Sequence, residues 1–160
     1  MLLFLDVDGP LIPYGAADRA YPEFAGPPAA TATHPLLSRV DPALGPRLAA
    51  LGCELVWATT WMDDANSCLG PWLGLPRLPV VQWPDEDEPP GLLHWKTRPL
   101  VAWAADRPFV WVDDEITEAD RAWTAVHHHG PALLHRVDHR YGLTEADFEV
   151  LREWLTAAGR

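Results

Sequence analysis

Leu2-Leu3-Phe4-Leu5-Asp6-Val7-Asp8-Gly9 joins an unbroken apolar run to a polar turn near the start of the chain. Four apolar residues in a row lack the alternation of a half-exposed strand, and they end abruptly in Asp-x-Asp-Gly, a turn sequence. Such a run predicts a strand buried on both faces, which requires helices above and below it and places it near the centre of a parallel sheet.

Working outward, Glu54–Ala58 and Phe109–Val112 repeat the pattern, and each is followed by polar residues: Thr59-Thr60-Trp61 after the first, Asp113-Asp114-Glu115 after the second. Ala132–Val137 reads as the last strand and Pro79–Trp83 as a weaker fifth. Helices are expected over 43–51, where Asp41-Pro42 precedes and Gly52 follows, and over 63–69, 96–105, 117–126 and 144–158. The last begins Thr-Glu-Ala-Asp, close to a capping box. Residues 10–35 carry Pro, Gly, Ala and Thr without helical period and read as a loop or small hairpin flap, and Asp85-Glu86-Asp87-Glu88-Pro89-Pro90 as an acidic loop. The alternation predicts an α/β fold, a Rossmann-like three-layer sandwich with a central, mainly parallel five-stranded sheet, formed by residues 1–160 as one domain.

Composition narrows the function. A net charge of −11 opposes an extended nucleic-acid footprint, although it leaves room for one local phosphate site. No apolar run approaches the roughly 20 residues of a membrane span. Cys53 and Cys68 form no metal pattern and read as buried, reduced thiols. With no basic segment ahead of the first strand, a cytoplasmic location is expected.

In open parallel sheets ligands bind at the carboxyl ends of the strands, and there the chemistry-bearing residues gather: Asp6 and Asp8, Thr59 or Thr60, Lys96, and Asp113-Asp114. A carboxylate can attack phosphorus and split a hard hydrolysis into two easier displacements; Asp6 is the candidate. Asp8, two residues on, can protonate the leaving oxygen and then activate water. A hydroxyl and an ammonium can hold phosphoryl oxygens, which suits Thr59, the favoured residue over Thr60, and Lys96. Magnesium prefers hard oxygen ligands, available from Asp6, Asp8 (through its backbone carbonyl), Asp113 and Asp114; Asp114 is expected to ligate and Asp113 to support.

This ordered set resembles the four motifs of the haloacid dehalogenase (HAD) superfamily: DxDG after the first strand, Thr or Ser after the second, Lys at a helix start, and a late acidic pair. The match spans residues 2–115. Trp57-Ala58-Thr59-Thr60-Trp61 with Asp63-Asp64-Ala65-Asn66, and Gly142-Leu143-Thr144, are similar to the small HAD domains of RNA-repair proteins. The resemblance implies a Mg2+-dependent phosphatase working through an aspartyl-phosphate, its partner a phosphorylated small molecule or a phosphate at a nucleic-acid end. Pro10 departs from the pattern, which usually has Thr or Val there. Asp8 and Thr59 are 51 positions apart and Thr59 and Lys96 37 apart, too few for a large cap domain, so an open site is expected.

Other readings compete. A receiver domain uses similar residues but places its acidic pair first and its acceptor Asp mid-chain, the reverse of the order here; a catalytically silent HAD fold serving as an interaction module would not need all four groups. His127-His128-His129 cannot all face one ion from a regular helix and read as a surface cluster at a helix end. Most tryptophans read as core, with Trp61 and Trp83 as candidate base-stacking faces. Arg136, His139 and Arg140 read as a solvated loop in preference to phosphate contacts.

Overall fold

The computed structural model describes residues 1–25, 34–84 and 91–159. The acidic loop 85–90 and part of the expected flap, 26–33, lie outside the described residues. Four strands form one sheet: β1 (Leu2–Leu5), β2 (Glu54–Trp57), β3 (Phe109–Asp113) and β4 (Ala132–Arg136), in the order β2-β1-β3-β4 with every pair parallel. β1 is therefore interior, and all four of its residues are fully buried.

Five α-helices accompany the sheet: α1 (Leu44–Ala49), α2 (Gly70–Leu73), α3 (Thr97–Ala104), α4 (Glu118–His127) and α5 (Glu145–Ala158). Alternation along β1 divides the core. Leu3 and Leu5 pack with Leu48, Trp72, Phe148 and Leu151 from α1, α2 and α5, whereas Leu2 and Phe4 pack with Leu100 and Ala104 of α3. The same period of two gives Trp57 and Val112 to one face and Val56 and Trp111 to the other. The result is a three-layer α/β arrangement.

The expected fifth strand does not form. Pro79–Trp83 makes a single bridge to the outer edge of β2, with Trp57 donating its backbone N–H to the Pro79 carbonyl and Val81 donating to the Trp57 carbonyl. The next rung in a parallel ladder needs an N–H from residue 79 for the Leu55 carbonyl, and proline has none. The sheet stops at four strands.

Helix boundaries also differ from expectation. The segment 63–69 becomes a π-helical turn, Ala65–Leu69, that runs directly into α2, because Pro71 sits in the first turn of α2 where its missing N–H costs nothing. Asp41 accepts the Ala43 N–H across a short turn, so α1 starts only at Leu44. Within 34–40 the chain forms a 3-10 helix, Pro35–Arg39, and the described part of the flap contains no hairpin. Cys53 and Cys68 are half-buried thiols. Both α4 and α5 start with complete capping boxes, Thr117 with Asp120 and Thr144 with Asp147. No helix among the described residues is long and apolar enough to cross a membrane.

Candidate active site

The sheet delivers the site residues because β1 and β3 are adjacent and in register. Leu5 lies opposite Val112, so the chain leaves both strands at the same level, and Asp6 donates its backbone N–H to the Val112 carbonyl at 3.1 Å. Asp6, Asp113 and Asp114 thus meet: their carboxylate oxygens lie within 4.8 Å of one another, and all three residues are buried.

Lys96, at the start of α3, is buried between them, its Nζ 2.9 Å from an Asp6 oxygen and 2.8 Å from Asp113 Oδ2. Asp113 is held at both oxygens. Its Oδ2 also accepts from the Trp111 indole at 3.2 Å, and its Oδ1 accepts the Glu115 backbone N–H at 2.9 Å. Asp114 is held differently: Tyr14 donates its hydroxyl to Oδ2 at 2.7 Å, and Arg136 donates Nε to the Asp114 carbonyl at 2.9 Å.

Three carboxylates facing one ammonium leave the pocket short of positive charge, and the ionisation equilibria respond. Burial pushes the Asp6 carboxyl up to about 7; Lys96 opposes that push and Asp113 adds to it. Burial likewise raises Asp114, against the hydrogen bond from Tyr14. For Lys96, burial acts downward, but Asp6 and Asp113 outweigh it and hold the ammonium above its ordinary value. Clustered hard oxygen donors with a deficit of positive charge fit a magnesium ion. Asp6, Asp113 and Asp114 all have oxygens placed to hold one, and Asp6 and Asp113 share Lys96.

The turn after β1 is built around Asp114. Gly9 has φ +89°, and a Cβ there would lie 2.6 Å from the Asp114 carboxyl carbon, so the DxDG glycine is needed both for its conformation and for the close approach. Pro10 does not loosen the turn: its carbonyl accepts from the Leu143 N–H at 2.9 Å. Gly142, also at positive φ, passes so close that a Cβ would sit 3.1 Å from that carbonyl. Gly142-Leu143 therefore closes over the DxDG turn.

Asp8 lies outside the carboxylate cluster. Its side chain accepts from the Trp61 indole N–H at 3.0 Å. Thr59 is fully buried at the end of β2 and its hydroxyl accepts the Trp61 backbone N–H at 3.2 Å, whereas Thr60 is exposed. Trp83 donates its indole N–H to the Thr59 carbonyl and meets Trp95 edge-on at 4.8 Å. Trp95, 42% exposed, is the most open indole of this rim and was not singled out by the sequence.

Tyr14, His94 and Glu115 were also missed. His94 packs against Trp95 and Trp111 and lies 3.0 Å from Glu115, and these two with Asp113 form a second group of potential metal ligands. Proximity of His94 to Lys96 in sequence was the only available signal. The histidine tract disperses: His127 stacks on Trp123 at 4.0 Å, while His128 is buried beside Phe109. The expectation of a surface cluster fails for His128, because the chain turns inward after α4 to begin β4.

A parallel α/β sheet whose central strand ends in Asp-x-Asp-Gly, faced by a buried Lys and an acidic pair from the next strand, defines a HAD-type domain. Residues 2–148 match the family model described as the HAD domain in Swiss Army Knife RNA repair proteins, and the chain belongs to that family. The family suggests a phosphohydrolase. No curated protein and no solved structure matches the chain.

Proposed function

We propose that this chain is a magnesium-dependent phosphomonoesterase that works through a phosphorylated Asp6 and acts on a terminal phosphate of a nucleotide or nucleic acid. The observation that carries the reading is the buried Asp6 carboxylate, held by Lys96 within reach of the Asp113 and Asp114 oxygens. A fold kept only as a docking module, or as a receiver-like phospho-acceptor, would have no use for Asp8 as a second acid.

An Asp6 oxygen attacks phosphorus, forming an O–P bond as the bond to the leaving oxygen breaks. Asp8 gives its proton to that leaving oxygen. In the second displacement Asp8 takes a proton from water, the water oxygen attacks phosphorus, and the Asp6–phosphorus bond breaks to release phosphate and restore the carboxylate. Trp61 orients Asp8 through its indole N–H. Lys96 and the Thr59 hydroxyl supply positive charge and a hydrogen bond to the phosphoryl oxygens. Asp6 and Asp114 would hold a magnesium ion, which when bound would offset the repulsion between carboxylate and phosphate.

The direct test is hydrolysis of p-nitrophenyl phosphate with and without magnesium, alongside Asp6→Asn. Turnover that requires the ion and vanishes in the variant supports the reading; equal rates in wild type and variant would overturn it.

A further inference from the structure

The arginines of this chain differ in their partners. Arg47, Arg77, Arg107, Arg121 and Arg152 each pair with a carboxylate. Arg19, Arg39 and Arg136 have no carboxylate within ion-pair distance among the described residues. Their contacts are instead a backbone carbonyl or an aromatic ring: Arg136 with the Asp114 carbonyl, Arg39 with the Pro13 carbonyl and Tyr21, Arg19 with Tyr21 and Tyr141.

These unpaired cations come from separate parts of the chain and converge. Arg19 and Arg39 share the Tyr21 ring, at 5.7 and 4.8 Å; Arg19 and Arg140 share Tyr141, at 5.3 and 5.6 Å. A cavity of about 450 Å³ runs along Arg136–Arg140, and a second of about 170 Å³, lined by Arg19, Arg39 and Tyr141, lies against Pro10 and Leu11 behind the DxDG turn. Asp138 neutralises Arg140 through two bonds; Arg19, Arg39 and Arg136 form no ion pair among the described residues, although Asp41 lines the second cavity and Asp18 lies close enough to act on Arg140. In a chain of net charge −11, gathering three arginines that form no ion pair leaves a local excess of positive charge that an anionic ligand can balance. Basic groups interleaved with aromatic rings, of which Tyr141 is exposed, match single-stranded nucleic acid, whose phosphates pair with arginine and whose bases stack. The strip begins at Arg136, whose guanidinium is bonded to the backbone of Asp114.

We infer that Arg136, Arg140, Tyr141, Arg19, Tyr21 and Arg39 form a binding strip for the single strand that carries the terminal phosphate, which makes the substrate an oligonucleotide end and not a free mononucleotide. This rests on the phosphatase reading for its purpose, but its binding test does not. Three arginines that each neutralise one phosphate of a single strand, and so release its condensed counterions, give a slope of log K against log salt of about −2, or about an 18-fold loss of affinity between 50 and 200 mM salt. This is a short footprint, compatible with an acidic protein.

The probe is a fluorescein-labelled pentanucleotide without a terminal phosphate, followed by anisotropy across that salt range. Arg19→Ala with Arg39→Ala should reduce the slope to about −0.7, an about threefold loss over the same range, and Arg19→Lys with Arg39→Lys should restore most of it. Arg77→Ala with Arg107→Ala should leave it at the wild-type value, and p-nitrophenyl phosphate turnover should be unchanged in all three. Equal slopes in the strip and control variants would overturn the inference. So would tripolyphosphate competing as well as the unlabelled strand, since a simple polyanion would then suffice. Strand binding with this salt dependence in a protein that turns over no phosphate ester would uphold the strip and sink the phosphatase reading; turnover without strand binding would do the reverse.

Discussion

Replacing Asp120 with alanine should be among the most destabilising single changes available, although Asp120 touches no reacting atom. It is fully buried and its carboxylate accepts four hydrogen bonds: the Thr117 N–H at 2.8 Å, the Thr117 hydroxyl at 2.6 Å, the Thr97 hydroxyl at 2.6 Å and the His94 N–H at 2.8 Å. The first two cap α4; the last two fix the entry to α3, where Lys96 sits. Hydrogen bonds to a charged acceptor contribute about 1.5–3 kcal/mol each, but four on one carboxylate are not additive. A net loss of about 3–5 kcal/mol is expected, against a total stability of about 5–15 kcal/mol. Asp147→Ala is the internal control. It breaks the equivalent box at α5, which is exposed, together with the His135 bond, and should cost about 1–2 kcal/mol.

Urea unfolding followed by the fluorescence of the nine tryptophans measures both. Burial acts to raise the Asp120 carboxyl, but the bonds from Thr117, Thr97 and His94 outweigh it and leave its pKa below the ordinary 3.8. A folded-state pKa below the unfolded one gives stability that is present above pH 3.8 and is lost as pH falls through the folded value. Wild type should therefore lose stability more steeply below about pH 4 than Asp120→Ala does. If Asp120→Ala lost no more than Asp147→Ala at neutral pH, the idea that this carboxylate locks α3 to α4 would be refuted.

Three further outcomes are expected. Gly9→Ala forces a Cβ to 2.6 Å from the Asp114 carboxyl at a positive φ, so it should destabilise by about 2 kcal/mol or more and weaken magnesium binding; calorimetry with unchanged affinity would contradict this. Lys96→Met leaves Asp6 and Asp113 buried without their cation and should cost about 3–5 kcal/mol in metal-free buffer, with magnesium recovering part of the loss in a thermal melt. Trp61→Phe keeps the ring but removes the N–H that holds Asp8; it should slow turnover of esters with poor leaving groups more than p-nitrophenyl phosphate, and equal slowing of both would show that Trp61 does not act through Asp8.

Legibility from sequence followed the range of the interactions. The runs at Leu2–Leu5 and Phe109–Val112 announced interior strands because burial on both faces leaves an unbroken apolar signature. The groups at their ends were found because strand ends carry ligands in such sheets. Pro79 defeated the fifth strand through one missing donor, a loss that depends on register with Leu55 and so is invisible until pairing is known. The Thr144 box was read, and the equivalent Thr117-x-x-Asp120 pattern was there to be read. What escaped is long-range: Tyr14 is 100 positions from Asp114 and Trp61 is 53 from Asp8, and no local period encodes either contact. Arg136 and Arg140 read as loop residues because the bond from Arg136 to the Asp114 carbonyl and the Tyr141 ring that Arg140 shares with Arg19 exist only in three dimensions.

If Asp6 is the nucleophile, it becomes phosphorylated during turnover. Wild-type protein quenched in acid during steady-state hydrolysis of p-nitrophenyl phosphate, reduced with borohydride and digested should show the carboxyl of residue 6 converted to an alcohol, since an acyl phosphate is reduced where a free carboxylate is not. The converted peptide should contain Leu2–Gly9, and Asp8→Asn should increase its yield by slowing hydrolysis of the intermediate. Conversion at Asp113 or Asp114, or sustained turnover with no conversion at residue 6 in either protein, would contradict the account.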